Sequence, residues 1–384
     1  MPSQRMETVP FSGIRTIFEE CTSLERDGVD VVHLEIGRPD FDTPRPIKDA
    51  AIDAIEDGKV HYTSNYGIEA LRHGIARKLE EDNGLEYDPD GEILVTAGAT
   101  EAVFVTFLAF ADRGDEVLVP DPAWTYSAGI NLANGTPVPY RLDPDAGFQP
   151  DLDSLEDAVS PATELLVVNS PHNPTGGVLD RDRAEAIREF ALEHDLVVLS
   201  DEIYEKILYD GTHHSLAALD GMRDRTVTIN GFSKAYSMTG WRLGYLAAPE
   251  SLMDPILRAR QYTTTCAPSI SQHAGVRALS GELHRPMVET FEARRDLVAD
   301  RLASIPELRL PERPSGALYA FPAIQSDEDD REFVLSLLRE AGVALVPGSV
   351  FGDAGAGHVR IAYSNSSDRI DEAFDRLEAW LATR

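Results

Sequence analysis

The chain of 384 residues carries 66 acidic against 35 basic side chains, a net charge of −31, and 42% hydrophobic residues. That length suits two or three domains, and the aliphatic content excludes a chain unable to build a core. The charge argues against nucleic acid and anionic membranes as partners, because no basic patch offsets the repulsion of phosphate.

Only five of the basic residues are lysines: Lys48, Lys59, Lys78, Lys206 and Lys234. High acid with little lysine predicts a salt-adapted protein, in which short-range screening relieves the self-repulsion of the carboxylates. Two cysteines, Cys21 and Cys266, can form neither a disulfide framework nor a zinc cage, which points to a reducing compartment. The opening residues lack the apolar core of a secretory signal, and no apolar run approaches the ~18 residues of a membrane span. The expectation is a soluble, cytoplasmic protein.

In chain order, a helical pattern over 14–26 places Ile17, Phe18, Cys21 and Leu24 together, and a strand follows at 31–36. Short, nearly continuous Val/Leu/Ile runs then predict strands at 93–97, 116–119, 165–169, 196–200, 226–230 and 244–247. Uninterrupted apolar runs are the mark of strands covered on both faces. Helical patterns lie between them, including 101–110 and 184–194, where Ile187, Phe190, Ala191 and His194 share a face. Such alternation predicts an α/β fold with a mostly parallel sheet flanked by helices, and in such sheets ligands bind beyond the carboxyl ends of the strands. From about 281 onward two long amphipathic helices and short strands, at 317–321 and 359–362, are expected. The resulting division is a large α/β domain over 44–280 and a smaller α+β domain from 1–43 and 281–384.

Three unusual clusters follow strands directly. Gly231-Phe232-Ser233-Lys234 comes after the strand at 226–230, with Arg242 eight residues beyond the lysine. A lone lysine reads as a surface charge, but beside a hydroxyl and a guanidinium suited to phosphate it fits a pyridoxal phosphate site. Asn169-Ser170-Pro171-His172-Asn173-Pro174-Thr175-Gly176 makes a turn whose prolines and glycine explain the bend but not the amide of Asn173. In Ser200-Asp201-Glu202-Ile203-Tyr204 a buried strand runs into a carboxylate and a phenol; alone, Asp201 reads as a helix cap.

Together these clusters resemble the class I/II aminotransferases, pyridoxal-phosphate enzymes of fold type I and of the aspartate aminotransferase kind. Asp201 lies 28 residues after Asn173, and Lys234 lies 33 after Asp201. The likeness extends to Gly37-Arg38-Pro39-Asp40-Phe41 near one end, and to Val346-Pro347-Gly348 and Val359-Arg360-Ile361 near the other. It implies a seven-stranded large-domain sheet and transfer of an amino group from an L-amino acid to a 2-oxo acid, usually 2-oxoglutarate, by a ping-pong cycle.

The resemblance also implies residue roles. Lys234 would be the Schiff-base lysine and proton shuttle, and Asp201 the partner of the pyridine nitrogen. Tyr204 and Asn173 would bond the ring hydroxyl, and Trp124 would stack on the ring. Gly98, Ala99 and Thr100 at a helix start would bind the phosphate with Ser233 and Arg242. Tyr62 would reach the phosphate from a neighbouring subunit, which makes a homodimer the expected assembly. Arg360 would grip the substrate α-carboxylate, with Gly37 allowing close backbone approach and Trp124 and Asn173 also facing the substrate. No metal is implied.

Two positions depart from common members of the family. Arg38 replaces a frequent glutamate, and Thr100 stands where some aspartate-using relatives carry a lysine. Acidic, aromatic and neutral donors therefore stay open. The alternatives are a lyase or synthase of the same fold, of the β-lyase type, and, less favoured, a non-catalytic regulatory module.

Overall fold

The computed structural model describes residues 3–124 and 126–384. Its centre is an eight-stranded sheet in the order Ile93–Thr96, Gly244–Ala247, Thr226–Gly231, Val197–Asp201, Thr163–Asn169, Glu116–Asp121, Thr136–Asp143, Gln149–Pro150. The five strands from Thr226–Gly231 to Thr136–Asp143 run parallel, while Gly244–Ala247 is antiparallel to both of its neighbours. Register pairs Asn169 with Asp201 and Gly231 with Gly244, so the chemically unusual residues gather at one edge of the sheet.

Side chains along a strand alternate between faces, and here both faces are covered. Leu165 and Val167 pack into one cluster with Phe107, Leu199 and Met253, while Leu166 and Val168 pack into another with Ile187 and Phe190. Double burial is why these strands read as continuous apolar runs. The helices filling the gaps match the expected periodicity closely: Ala99–Phe110, and Arg181–Glu193 with Asp180 capping it through Arg183 N–H.

The sheet departs from expectation on its outer side. Thr136–Asp143 escapes a hydrophobicity reading because Pro137 and Pro139 interrupt it, yet it pairs along its whole length with Glu116–Asp121. Its other side pairs only at Leu142 and Asp143, so the missing proline N–H groups leave few partners unsatisfied. The two-residue strand Gln149–Pro150 is the eighth, one beyond the seven implied by the resemblance.

A separate core joins the two ends of the chain. Ile17 and Cys21 of the Gly13–Arg26 helix pack with Val32 and Leu34, and with Phe291, Phe333, Leu337, Phe374 and Tyr319. Val32–His33 pairs in parallel with Val343–Ala344, and Val359–Ala362 lies between Tyr319–Ala320 and Val346–Pro347. Three helices rather than two serve this end: Arg285–Ala303, Asp330–Ala341 and Ser367–Leu381. The strands expected at 31–36 and 317–321 shrink to two residues each, Val32–His33 and Tyr319–Ala320.

Candidate active site

A cavity of about 270 Å³ opens where the strands of the large sheet end, lined by residues from both ends of the chain. Lys234, three residues past the end of Thr226–Gly231, points its Nζ into it and donates to the carbonyl of Gly37 at 2.6 Å. The same nitrogen lies 5.7 Å from the centre of the Tyr204 ring. Gly37 is required where it stands: a Cβ would fall 1.9 Å from the Tyr319 hydroxyl.

Asp201 ends its strand inside the cavity and is 6% exposed. Its Oδ2 accepts from the Tyr126 hydroxyl at 2.8 Å and its Oδ1 from Ile203 N–H at 3.2 Å. Burial pushes its carboxyl up to about 6, with those two donors working in the opposite direction. The Asn169 amide locks the neighbouring turn, donating to the Asp201 carbonyl at 2.8 Å and accepting from Asn173 N–H at 3.1 Å.

Across the cavity, Arg360 is 2% exposed. Its Nη1 donates to Asn173 Oδ1 at 3.1 Å and its Nη2 to the Glu35 carbonyl at 2.5 Å. The guanidinium sits 4.5 Å from the Tyr319 ring centre and 4.9 Å from that of Phe351. No carboxylate pairs with it among the described residues, and burial holds its pKa below the ordinary guanidinium value. A buried cation served only by neutral groups is a receptor for an anion.

A second candidate anion site lies at the Ala99–Phe110 helix start. Gly98 has φ +86°, and a Cβ on it would meet Arg242 Nη2 at 2.3 Å. A Cβ on Gly244 would meet Ala99 N at 2.5 Å. These glycines let the helix start, the strand Gly244–Ala247 and the Arg242 fork close together. Arg242 itself takes a φ of +52°, held by donation to the Thr239 carbonyl at 3.0 Å and the Ala97 carbonyl at 3.4 Å. Ala99, Thr100 and Ser233 line the cavity beside it, with unpaired first-turn N–H groups available to phosphate.

Lys234, Asp201, Tyr204, Asn173, Arg360, Gly37, Trp124, Ala99, Thr100, Ser233 and Arg242 thus share one cavity, and Gly98 forms its floor behind Arg242. Tyr204 hydroxyl pairs with that of Tyr319 at 2.7 Å, and Trp124 stands edge-on to Tyr126 at 5.9 Å. Tyr62 is not brought in by its own chain; it is 88% exposed. Sequence reasoning missed Tyr126, Asn169 and Tyr319. The first two lie within the motifs themselves, two residues after Trp124 and four before Asn173, whereas Tyr319 had no local signal.

These residues fit pyridoxal phosphate. A buried carboxylate without a hydrogen-bonded cation suits a pyridine N–H, the glycine-floored fork suits a phosphate, and an amine stands between them. The family described as "Aminotransferase class I and II" matches residues 29–377. The aromatic-amino-acid aminotransferase 2 of Thermococcus litoralis is 42% identical, covering 98% of this chain and 97% of that relative. The aspartate aminotransferase of Pyrococcus abyssi is 43% identical over the same shares. Among solved structures, the Thermus thermophilus aspartate aminotransferase with maleate has a TM-score of 0.93 at 38% identity, covering 98% of both chains. The chain belongs to the class I and II aminotransferases, and is a pyridoxal-phosphate-dependent enzyme that transfers amino groups between amino acids and 2-oxo acids.

Proposed function

We propose that the enzyme moves the amino group of an L-amino acid with an apolar or aromatic side chain to 2-oxoglutarate, with Lys234 as the covalent anchor and proton carrier. The observation that carries the reading is Arg360, a buried guanidinium with no carboxylate of its own, facing the amine of Lys234 across the cavity. A substrate carboxylate on Arg360 directs Cα toward Nζ, which takes the Cα proton and returns it to the cofactor side. When bound, the pyridine ring supplies an electron sink for the pair left on Cα. Asp201 holds the proton on the ring nitrogen, while Tyr126 and Ile203 N–H fix its two oxygens.

The donor class follows from Ile14, Ile36 and Val103, which give the cavity an apolar wall. Its only cationic side chains among the described residues are Lys234, Arg242 and Arg360. A dicarboxylate donor is the second reading. It is favoured by Arg38, exposed beside Gly37 with no side-chain partner among the described residues, and by the aspartate aminotransferase relatives.

One experiment separates these readings: mixing the holoenzyme with each of the twenty amino acids and following loss of the cofactor absorbance. Apolar and aromatic donors are expected to react fastest. Arg360→Ala should weaken their binding by ~1.5–3 kcal/mol, and Lys234→Ala should slow proton transfer by ~10²–10⁴-fold. Faster reaction with aspartate than with any apolar donor would replace the first reading by the second.

A homodimer belongs to the same proposal. It is supported by exposed apolar side chains, Phe11, Ile52, Ile55, Val60 and Tyr262, together with Tyr62. The division of the chain at 44 and 280 is likewise proposed, supported by the core that joins both ends. No helix among the described residues is long and apolar enough to cross a membrane. A cytoplasmic location is supported by the unpaired Cys21 and Cys266, and cell fractionation would check it.

A further inference from the structure

Outside the catalytic cavity, two clusters of metal-ligating side chains stand out, and their surroundings differ. Glu202, Glu205 and His213 come together, but the ammonium of Lys78 already pairs with Glu205 there. That cluster carries its own cation. The other joins Cys21, His33 and Glu35, whose donor atoms all lie within 4.8 Å of one another; among the described residues no lysine or arginine pairs with any of the three, and the only cation there is the His33 ring, set between Glu25 and Glu35.

Local structure builds this second group. Cys21 and Glu25 are four residues apart on the Gly13–Arg26 helix, so they lie along one side of it, Cys21 buried and Glu25 toward solvent. His33 and Glu35 are two apart in an extended segment, so they also project to one side. Cys21 and Glu35 are both 0% exposed. One carboxylate oxygen of Glu35 lies 2.8 Å from His33 Nδ1; the other, Oε2, is buried with no hydrogen-bond partner. A buried carboxylate oxygen left without a donor is expensive, and its vacancy points toward a missing electrophile.

We propose that Cys21, His33 and Glu35 form a binding site for a borderline-soft divalent cation of the zinc type. Thiolate, imidazole and carboxylate are its usual ligand set, and one thiolate plus one carboxylate neutralise the doubly charged ion in a buried position. The ligands come from one cysteine joined by other residue types, which a cysteine count alone does not detect. His33 Nε2 lies 3.1 Å from Glu25 Oε1, so the second imidazole nitrogen donates to a carboxylate outside the ligand set. That is the supporting arrangement metal-bound histidines use, and it leaves Nδ1 as the donor to the ion. Ligands ~2.0–2.3 Å from an ion stand ~3.3–3.8 Å apart in a tetrahedron, so donors now up to 4.8 Å apart close by ~1 Å while the 2.8 Å pair of His33 Nδ1 and Glu35 opens, and water takes the fourth position.

His33 and Glu25 are 30% and 46% exposed, which gives the ion a path inward. Binding releases the Cys21 thiol proton and the His33 Nδ1 proton to solvent. The bound ion would pin the Gly13–Arg26 helix to the strand Val32–His33. It would also steady Glu35, whose carbonyl holds Arg360. The inference stands independently of the donor class assigned above.

The test uses the full-length protein, stripped with a chelator and titrated with Co²⁺ alone, then with Zn²⁺ in competition. One equivalent per chain is expected, with the ultraviolet absorption of a cobalt–thiolate bond that Zn²⁺ abolishes. Cys21→Ser should lose that absorption and at least tenfold in affinity, whereas Cys266→Ser should keep both. Glu25→Gln, which touches the imidazole but not the ion, should keep the absorption and bind ~10–100-fold more weakly. A wild-type protein without the thiolate band overturns the site, as does a band that survives Cys21→Ser or vanishes with Cys266→Ser. Should Cys21→Ser fail to fold, unchanged Zn²⁺ affinity in Glu25→Gln overturns it instead.

Discussion

Asp201 is held in its useful state at the expense of the fold. Burial raises its carboxyl to about 6, above the unfolded value near 3.8, so between those values the native chain binds the proton more tightly than the unfolded chain. Stability therefore falls as pH rises through that window and stays lowered above it, by roughly 2–3 kcal/mol at ~1.4 kcal/mol per unit. A ring N–H is the partner that would relieve this. Without cofactor, Asp201→Asn is expected to be more stable than wild type at pH 7.5 by up to ~3 kcal/mol, the gap closing near pH 4, while transamination collapses. Urea unfolding at both pH values measures it, and equal stability at pH 7.5 would remove the strain from Asp201. The plain reading of Asp201 as a helix cap fails, since a turn and not a helix follows it, and its Oδ1 accepts from Ile203 N–H within that turn. The same carboxylate holds a local turn and has the chemistry proposed for it, which is why the residue alone is ambiguous.

Between elements, the scarce lysines mark junctions. Lys78, on the Glu69–Asn83 helix, is 8% exposed and pairs with Glu205, just past the strand Val197–Asp201. Its Nζ also donates to Asn83 Oδ1 at 2.7 Å, and Asn83 donates to Glu205 Oε2 at 2.8 Å. Burial by itself would raise the Glu205 carboxyl; Lys78, His213 and Asn83 outweigh it and hold the group at about 2. The stabilisation is thus present above the ordinary glutamate range and is lost as pH falls toward 2. Lys78→Met leaves a buried charge uncompensated and should destabilise the protein by ~3–5 kcal/mol at neutral pH, whereas Lys78→Met with Glu205→Leu should recover most of the loss. Denaturant midpoints report both, and a double variant no better than the single one would refute a charge-pair origin.

Over the whole molecule, the charge of −31 acts on every surface element at once. Arg301 gathers Asp371, Asp375 and Glu378, and Arg369 and Arg376 gather Asp30, but such exposed pairs contribute little each. The unpaired excess repels itself over a screening length of ~10 Å at 0.1 M salt, shrinking to ~3 Å at 1 M. The melting temperature should therefore rise between 0.1 M and molar KCl, and a flat or falling curve would remove salt adaptation from the account. Assembly belongs to this scale too. Sedimentation is expected to give twice the 42.1 kDa chain mass, and Tyr62→Ala to weaken cofactor binding without altering that mass. A fully active monomer would exclude Tyr62 from its neighbour's site.

The sequence by itself determined the alternation of buried strands and helices, the edge at which chemistry gathers, and the family. Each of these is written in local spacing: apolar runs for doubly covered strands, and turn, carboxylate and lysine placed directly after them. Tertiary structure alone decided the rest. Thr136–Asp143 is a strand because a neighbour supplies its partners despite two prolines. Arg360 is buried with no carboxylate paired to it among the described residues, in a chain where acids outnumber bases nearly two to one, and only the fold brings that about. Tyr126 and Tyr319 join the site through hydroxyls that meet residues 75 and 115 positions away. Such contacts leave no periodic trace, since distance along the chain and distance in the fold are independent once the sheet has brought its ends together.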